Sequence, residues 1–225
     1  MNWEPWSGCY KVSDGCTYCY FYGPYAKRHG QNTVQKTAEF AKPLARTAKG
    51  AYKIRGGKIV ATCFASDFFL AEADRWRPEA WAMIRQRPDL NFLIPTKRID
   101  RFLVELPSDW GEGYDNVNIG CSVENQQMAD YRLPLFLSYP MRRRFVACAP
   151  LLGPIDLSPY LRGIEHVTVS GETGREARPC NFDWVLAIRA ECVKAGITFW
   201  FKSTGSLYRQ GGAHADVHEE KDHNR

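Results

Sequence analysis

Short apolar runs alternate with longer amphipathic stretches along this chain, and that alternation predicts its elements. Runs rich in β-branched and aromatic residues predict strands over residues 58–64, 90–95, 116–121, 144–149, 166–170 and 198–202. A short strand near residues 2–6 precedes them. Between the strands, residues 77–86, 126–137 and 183–195 carry helical spacing, and Gly196 supplies a stop for the last helix. Strands alternating with helices are the signature of βα units on a parallel sheet. The fold class is therefore α/β, with an incomplete (β/α) barrel over residues 1–210. The remaining stretch, 211–225, is polar without an apolar period and reads as a flexible tail. His214 and His218 stand four apart there, a metal-ligating spacing on a helix, but a solvated tail is the simpler reading.

Composition narrows this picture. With 225 residues and 44% hydrophobic content, the chain can bury one substantial core, so a single domain is expected. No apolar run reaches the roughly 18–20 residues of a membrane span, and the first residues do not form a secretory signal, so a cytoplasmic protein is expected. Eight cysteines in a reducing compartment point to metal or redox chemistry more than to a disulfide framework. The formal charge of +5 is modest. Its clusters, Lys97-Arg98 with Arg101 and Arg142-Arg143-Arg144, are either phosphate-attracting patches or solvated faces. The basic, turn-rich segment 41–57 is likewise either a substrate-facing loop or a solvated connection.

The chemistry concentrates in Cys9-Tyr-Lys-Val-Ser-Asp-Gly-Cys16-Thr-Tyr-Cys19. A structural zinc site or a fully ligated iron–sulfur cluster wants a fourth Cys or His nearby, and the next candidate is His29 in a basic stretch. If the three thiolates hold a cubane, one iron lacks a protein ligand. A zinc loop completed by a distant residue is the alternative. Polar motifs meanwhile fall at or just beyond the predicted strand ends, the rim where a parallel barrel gathers its active site.

Cys16-Thr17-Tyr18-Cys19 resembles the Cys-x-aromatic-Cys pair of radical S-adenosylmethionine (SAM) enzymes. The gap of six residues between Cys9 and Cys16, where three is usual, fits a narrower group. The chain resembles a phage-associated three-cysteine family allied to the radical SAM enzymes. The resemblance runs through Trp3-Glu4-Pro5-Trp6, Gly15-Cys16-x-x-Cys19-Tyr20, Ser66-Asp67, Thr96-Lys97-Arg98, Ser122-Val123-Glu124-Asn125, Pro150-Leu151-Leu152-Gly153-Pro154 and Gly171-Glu172-Thr173-Gly174. Each motif is weak alone; their order is specific.

That resemblance implies a radical SAM enzyme, with Cys9, Cys16 and Cys19 ligating a [4Fe–4S] cluster and SAM as second cofactor. Ser66 and Asp67 would receive the SAM ammonium, although a helix cap is the plainer role. Ser122 and Glu124 would hold the ribose. Lys97 and Arg98 would bind the SAM carboxylate or a substrate phosphate, unless they are rim salt bridges. Glu172 would face the ligand from a glycine-rich turn, and Lys202 would close the site at the end of the last strand. Where that family usually carries Glu before Pro-Leu-Leu-Gly, this chain has Ala149. Cys63, Cys121 and Cys148 lie near three strand ends, where they either converge inside the barrel or serve as small core residues. A reductant of flavodoxin or ferredoxin type and a nucleic acid base or nucleotide as substrate complete the expectation. The rival from another class is a non-enzymatic zinc or iron–sulfur module that binds nucleic acid through its basic clusters.

Overall fold

The computed structural model describes residues 1–22, 33–210 and the backbone of 213–216. In chain order its strands are β1 (Asn2–Trp3), β2 (Trp6–Ser7), β3 (Gln35–Lys36), β4 (Ile59–Thr62), β5 (Asn91–Thr96), β6 (Val117–Ser122), β7 (Arg144–Cys148), β8 (His166–Ser170), β9 (Cys180–Asn181), β10 (Thr198–Ser203), β11 (Leu207–Gln210) and β12 (Ala213–Asp216). Its α-helices are α1 (Arg77–Gln86), α2 (Gln126–Ser138) and α3 (Phe182–Ala195). The predicted strands and helices are all present, with ends that shift by a few residues at most. The expected initial strand splits into β1 and β2 around Pro5, which has no N–H to give a ladder.

Seven parallel strands form one curled half-barrel sheet in the order β1-β4-β5-β6-β7-β8-β10. Register assigns the two faces. Trp3, Phe92, Ile94, Ile119, Cys121, Val146, Cys148, Val167 and Val169 share one face by their pairing and are all buried. Helices cover that face: Phe182 at the start of α3 meets Phe201 of β10 with ring centroids 5.5 Å apart. The opposite, concave face carries Leu93, Pro95, Asn118, Phe145, Thr168 and Trp200, which are only partly buried or exposed. It is left open because the barrel is incomplete.

Local signals place the helices. Asn125 caps α2 by accepting from the Met128 N–H at 2.9 Å, and Asn181 caps α3 through Asp183 N–H at 3.0 Å. Gly196 ends α3 in the left-handed region, at φ 69°, as its position predicts.

Two small sheets are added to this frame. β2 pairs antiparallel with β3, and β11 lies between β9 and β12. Residues 213–216, expected to belong to a flexible tail, thus form a strand, with His214 on it; His218 lies outside the described residues. The basic segment 41–57 is largely exposed, a solvated connection anchored at a few points. Tyr52 is held between the Arg46 and Arg87 guanidiniums, at 4.0 and 4.1 Å, while Arg87 donates to the Pro43 and Ile54 carbonyls.

Candidate functional site

The loop that carries Cys9, Cys16 and Cys19 lies over the C-terminal ends of the strands, where Trp3-Glu4-Pro5-Trp6 launches it. The Trp6 indole donates to the Asp67 carbonyl at 3.0 Å, and Glu4 accepts from the Phe64 and Ala65 amides at 3.0 and 3.2 Å. Both contacts tie the start of the loop to the turn after β4. Ser66 adds a third, donating to the Gly8 carbonyl at 2.5 Å.

Three arginine–carboxylate pairs then pin the loop from three strand ends. After β4, both oxygens of buried Asp67 are filled by Thr96 Oγ1 at 2.8 Å, the Phe69 and Lys97 amides at 3.0 Å, and Arg98 at 3.1 Å. Arg98 in turn donates to the Tyr10 carbonyl at 2.5 Å and to Cys9 Sγ at 3.7 Å. After β6, fully buried Glu124 accepts from Gly15 N–H at 3.2 Å and from Arg132 at 2.9 Å, and Arg132 reaches Ser13 Oγ at 3.0 Å. Gly15 lets the two come close, since a Cβ there would stand 3.1 Å from the Glu124 carboxyl carbon. After β8, Glu172 binds Arg178 through both oxygens at 2.7 and 2.8 Å, and Arg178 donates to the Asp14 carbonyl at 2.8 Å. Gly171 beside it admits no side chain, because an added Cβ would sit 1.8 Å from the Thr204 carbonyl oxygen.

The chain belongs to the DUF5131 family. The family described as "Protein of unknown function (DUF5131)" matches residues 1–224. Neither the curated proteins nor the solved structures yield a match. That membership brings no activity with it, so the reading of this DUF5131 site rests on its own chemistry.

The arginine pairs show what the expected site residues are bonded to in this structure. Asp67 has no lone-pair position left for the SAM ammonium, and Glu124 is sealed from solvent and cannot hold a ribose without breaking its ion pair. Arg98 is spent on Asp67 and the loop, and Glu172 on Arg178. Ser66 anchors Gly8, while Ser122 is buried and gives its carbonyl to Arg132 at 2.7 Å. Lys202, expected to close the site, is exposed on the edge strand β10, at the bulge where the register with β8 shifts between Phe201 and Ser203. The Lys97 ammonium has no carboxylate partner among the described residues and acts on Cys19. Ala149 brings no carboxylate to the end of β7.

The basic clusters also separate. Arg142, Arg143 and Arg144 stand at the opposite end of the sheet, where Arg142 pairs with Asp115 at 3.0 Å and Arg143 with Glu165 at 3.5 Å. Arg101 is tied to Asp74 at 2.6 Å. A nucleic-acid face built from these clusters as expected is not assembled.

The loop cysteines are free thiols; Cys9 and Cys19 are partly exposed, and Cys16 is buried. Burial pushes Cys9 up to about 11 against the pull of Arg98. Cys19 is raised by burial too, with the Phe21 amide and Lys97 opposing. Soft thiols beside cations suit a thiolate-bound cluster, which would neutralise the field that Arg98 and Lys97 set up. Among the described residues, no three His, Cys, Asp or Glu side chains converge on one point as ligands of a single ion do. Ligands of a cubane bind separate irons and need no such point. His29 lies outside the described residues. Cys63, Cys121 and Cys148 do not converge: Cys121 and Cys148 face α2 and α3, and Cys63 sits under Glu4 and Asp67.

Arg132, Arg178 and Glu4 are site residues that the sequence reading passed over. Arg132 lies mid-helix and Arg178 in a turn, with no local pattern to mark them. Glu4 carried a signal, its place inside the Trp-Glu-Pro-Trp motif.

Proposed function

We propose that this protein is a radical SAM enzyme whose Cys9, Cys16 and Cys19 hold a [4Fe–4S] cluster at the mouth of the half-barrel. When bound, the cluster supplies an electron that splits the sulfonium of SAM to methionine and a 5′-deoxyadenosyl radical. The observation that carries this reading is the loop itself. Three thiols with no fourth Cys or His ligand beside them among the described residues are fixed over the strand ends by Arg98, Arg132 and Arg178, each also bound to an acid on a different strand end.

Such buried pairs add little net stability, since desolvation offsets most of their attraction. Their contribution is position: they hold a loop without regular structure where its ligands must stand. Lys97 offers its ammonium to the SAM carboxylate, the one ligand task on the expected set that its geometry leaves free. The open concave face admits a substrate beneath the loop. Electrons must come from another protein of flavodoxin or ferredoxin type.

Anaerobic reconstitution with iron and sulfide tests the proposal. The expected outcome is about four irons per chain, broad absorption near 400 nm, and 5′-deoxyadenosine on adding dithionite and SAM. A colourless protein that takes up zinc in place of iron would favour the binding-module alternative, and a full cluster without SAM binding would end the enzyme assignment.

A further inference from the structure

The rim around the cysteine loop is aromatic and exposed. Tyr10, Tyr18, Tyr20 and Phe64 are 46, 40, 49 and 42% exposed, in a protein that buries its other phenylalanines almost completely or in part. The side chains of Tyr18 and Tyr20 and the backbones of Tyr10 and Phe64 each have a partner. Tyr20 donates its hydroxyl to the Phe64 carbonyl, and the Phe64 amide is held by Glu4. The Arg178 guanidinium lies 5.2 Å from the centre of the Tyr18 ring and is itself clamped by Glu172. Arg98 holds the Tyr10 carbonyl. These supports come from the ends of β4, β5 and β8, so the rings span the mouth from one side of the half-barrel to the other.

Two lysines flank the rings. Lys11 is exposed and makes one hydrogen bond, to the Thr17 carbonyl at 2.9 Å, and Lys97 has no carboxylate partner among the described residues. The loop's exposed carboxylate, Asp14, is opposed by the field of Arg178. Exposed rings, two of them held through their side chains, with ammonium groups beside them, match a polyanion that carries flat rings of its own.

We infer that this rim binds single-stranded nucleic acid, stacking unpaired bases on Tyr18 and Tyr20 while Lys11 meets the phosphates and Lys97 stays with the SAM carboxylate. The inference deepens the radical SAM reading by naming its substrate class, and rests on that reading for the reaction but not for the binding. A duplex keeps its bases stacked on each other and offers these rings nothing.

Fluorescence anisotropy of the full chain with a labelled oligothymidine of about 16 nucleotides, against a duplex of equal length, tests it. The single strand should bind about tenfold more tightly or better at the same salt. Tyr18→Ala and Tyr20→Ala should each weaken binding about tenfold, Tyr18→Phe should leave it within about twofold, and Lys11→Ala should reduce the salt slope by about 0.7. Circular dichroism confirms that these surface variants fold. Equal affinity for duplex, no loss in either alanine variant, or no binding would overturn the inference. So would Tyr18-dependent and Tyr20-dependent docking of a flavodoxin-type protein with no oligonucleotide binding. Strand binding by a protein that forms no cluster would keep this inference and remove the enzyme reading, and SAM cleavage without strand binding would do the reverse.

Discussion

Cys9, Cys16 and Cys19 stand on a loop built of turns and held from outside by arginines, whereas Cys63, Cys121 and Cys148 stand on or next to strands and are held by the core. The thiol chemistry of the two sets is the same. Their surroundings are opposite. Burial raises Cys121 to about 12 and lifts Cys63 and Cys148 well above the ordinary thiol range, so these sulfurs remain protonated and behave as small apolar groups. Cys9 and Cys19 are raised as well, but both open to solvent, whereas Cys63, Cys121 and Cys148 are all buried. Cations act on sulfurs of both sets, Arg98 and Lys97 on the loop and Arg77, Arg132 and Lys97 on Cys63 and Cys121, so the difference between the sets is access rather than charge.

The largest test removes the first set. Changing Cys9, Cys16 and Cys19 together to Ala should take iron from about four per chain to none, with the far-ultraviolet circular dichroism unchanged. Iron that survives the triple change would move the cluster to the inner set.

Next is the clamp that distinguishes the sets. Arg132→Met leaves Glu124 buried and unpaired, and should destabilise the protein by about 3–5 kcal/mol in urea unfolding. The cluster should also be lost more readily to a chelator. A stability loss with unchanged iron retention would mean that the pair supports only the fold.

Glu4 sharpens the comparison from the side of Cys63, on which it is the nearest charge in effect. Burial raises its carboxyl from 4.5 to about 7, and its Oε2 is buried without a hydrogen-bond partner. The folded state therefore holds this proton more tightly than the unfolded chain does. The stability it contributes is full below pH 4.5 and is lost as pH rises through 7. Glu4→Gln should escape that loss, so its stability relative to the native protein should rise by about 2–3 kcal/mol between acid and alkaline pH. A flat difference across denaturation curves at several pH values would refute it.

The smallest effect belongs to the inner cysteines. Cys121→Ala and Cys148→Ala should each cost about 1 kcal/mol from lost packing, with iron content unchanged. Iron near eight per chain in the native protein, or lost in either variant, would erase the distinction between the two sets.

Much of the frame was legible because its signals are local. The limits of α1 follow from the apolar spacing of Ala80, Trp81, Met83 and Ile84, and the end of α3 from one glycine. The strand-end motifs were recognised as a group, yet the ion pairs they make were not. Asp67, Glu124 and Glu172 look like ligand-facing acids from a strand-end position alone, and nothing near them in the chain reveals that each already has an arginine. Lys202 failed for a different reason: on an edge strand of an open barrel, a position at the strand end is a position in solvent.

By itself, the sequence determined the parallel α/β frame, the stop of the last helix at Gly196 and the three cysteines of one loop, because each depends on residues a few positions apart. Only the tertiary structure decided how that loop is held and which acids remain free. Glu124 meets Gly15 across 109 residues, and Arg178 meets Asp14 across 164. A pairing at such separation is set by where the folded strands end, and a charge says nothing of its partner until the sheet has brought the two together.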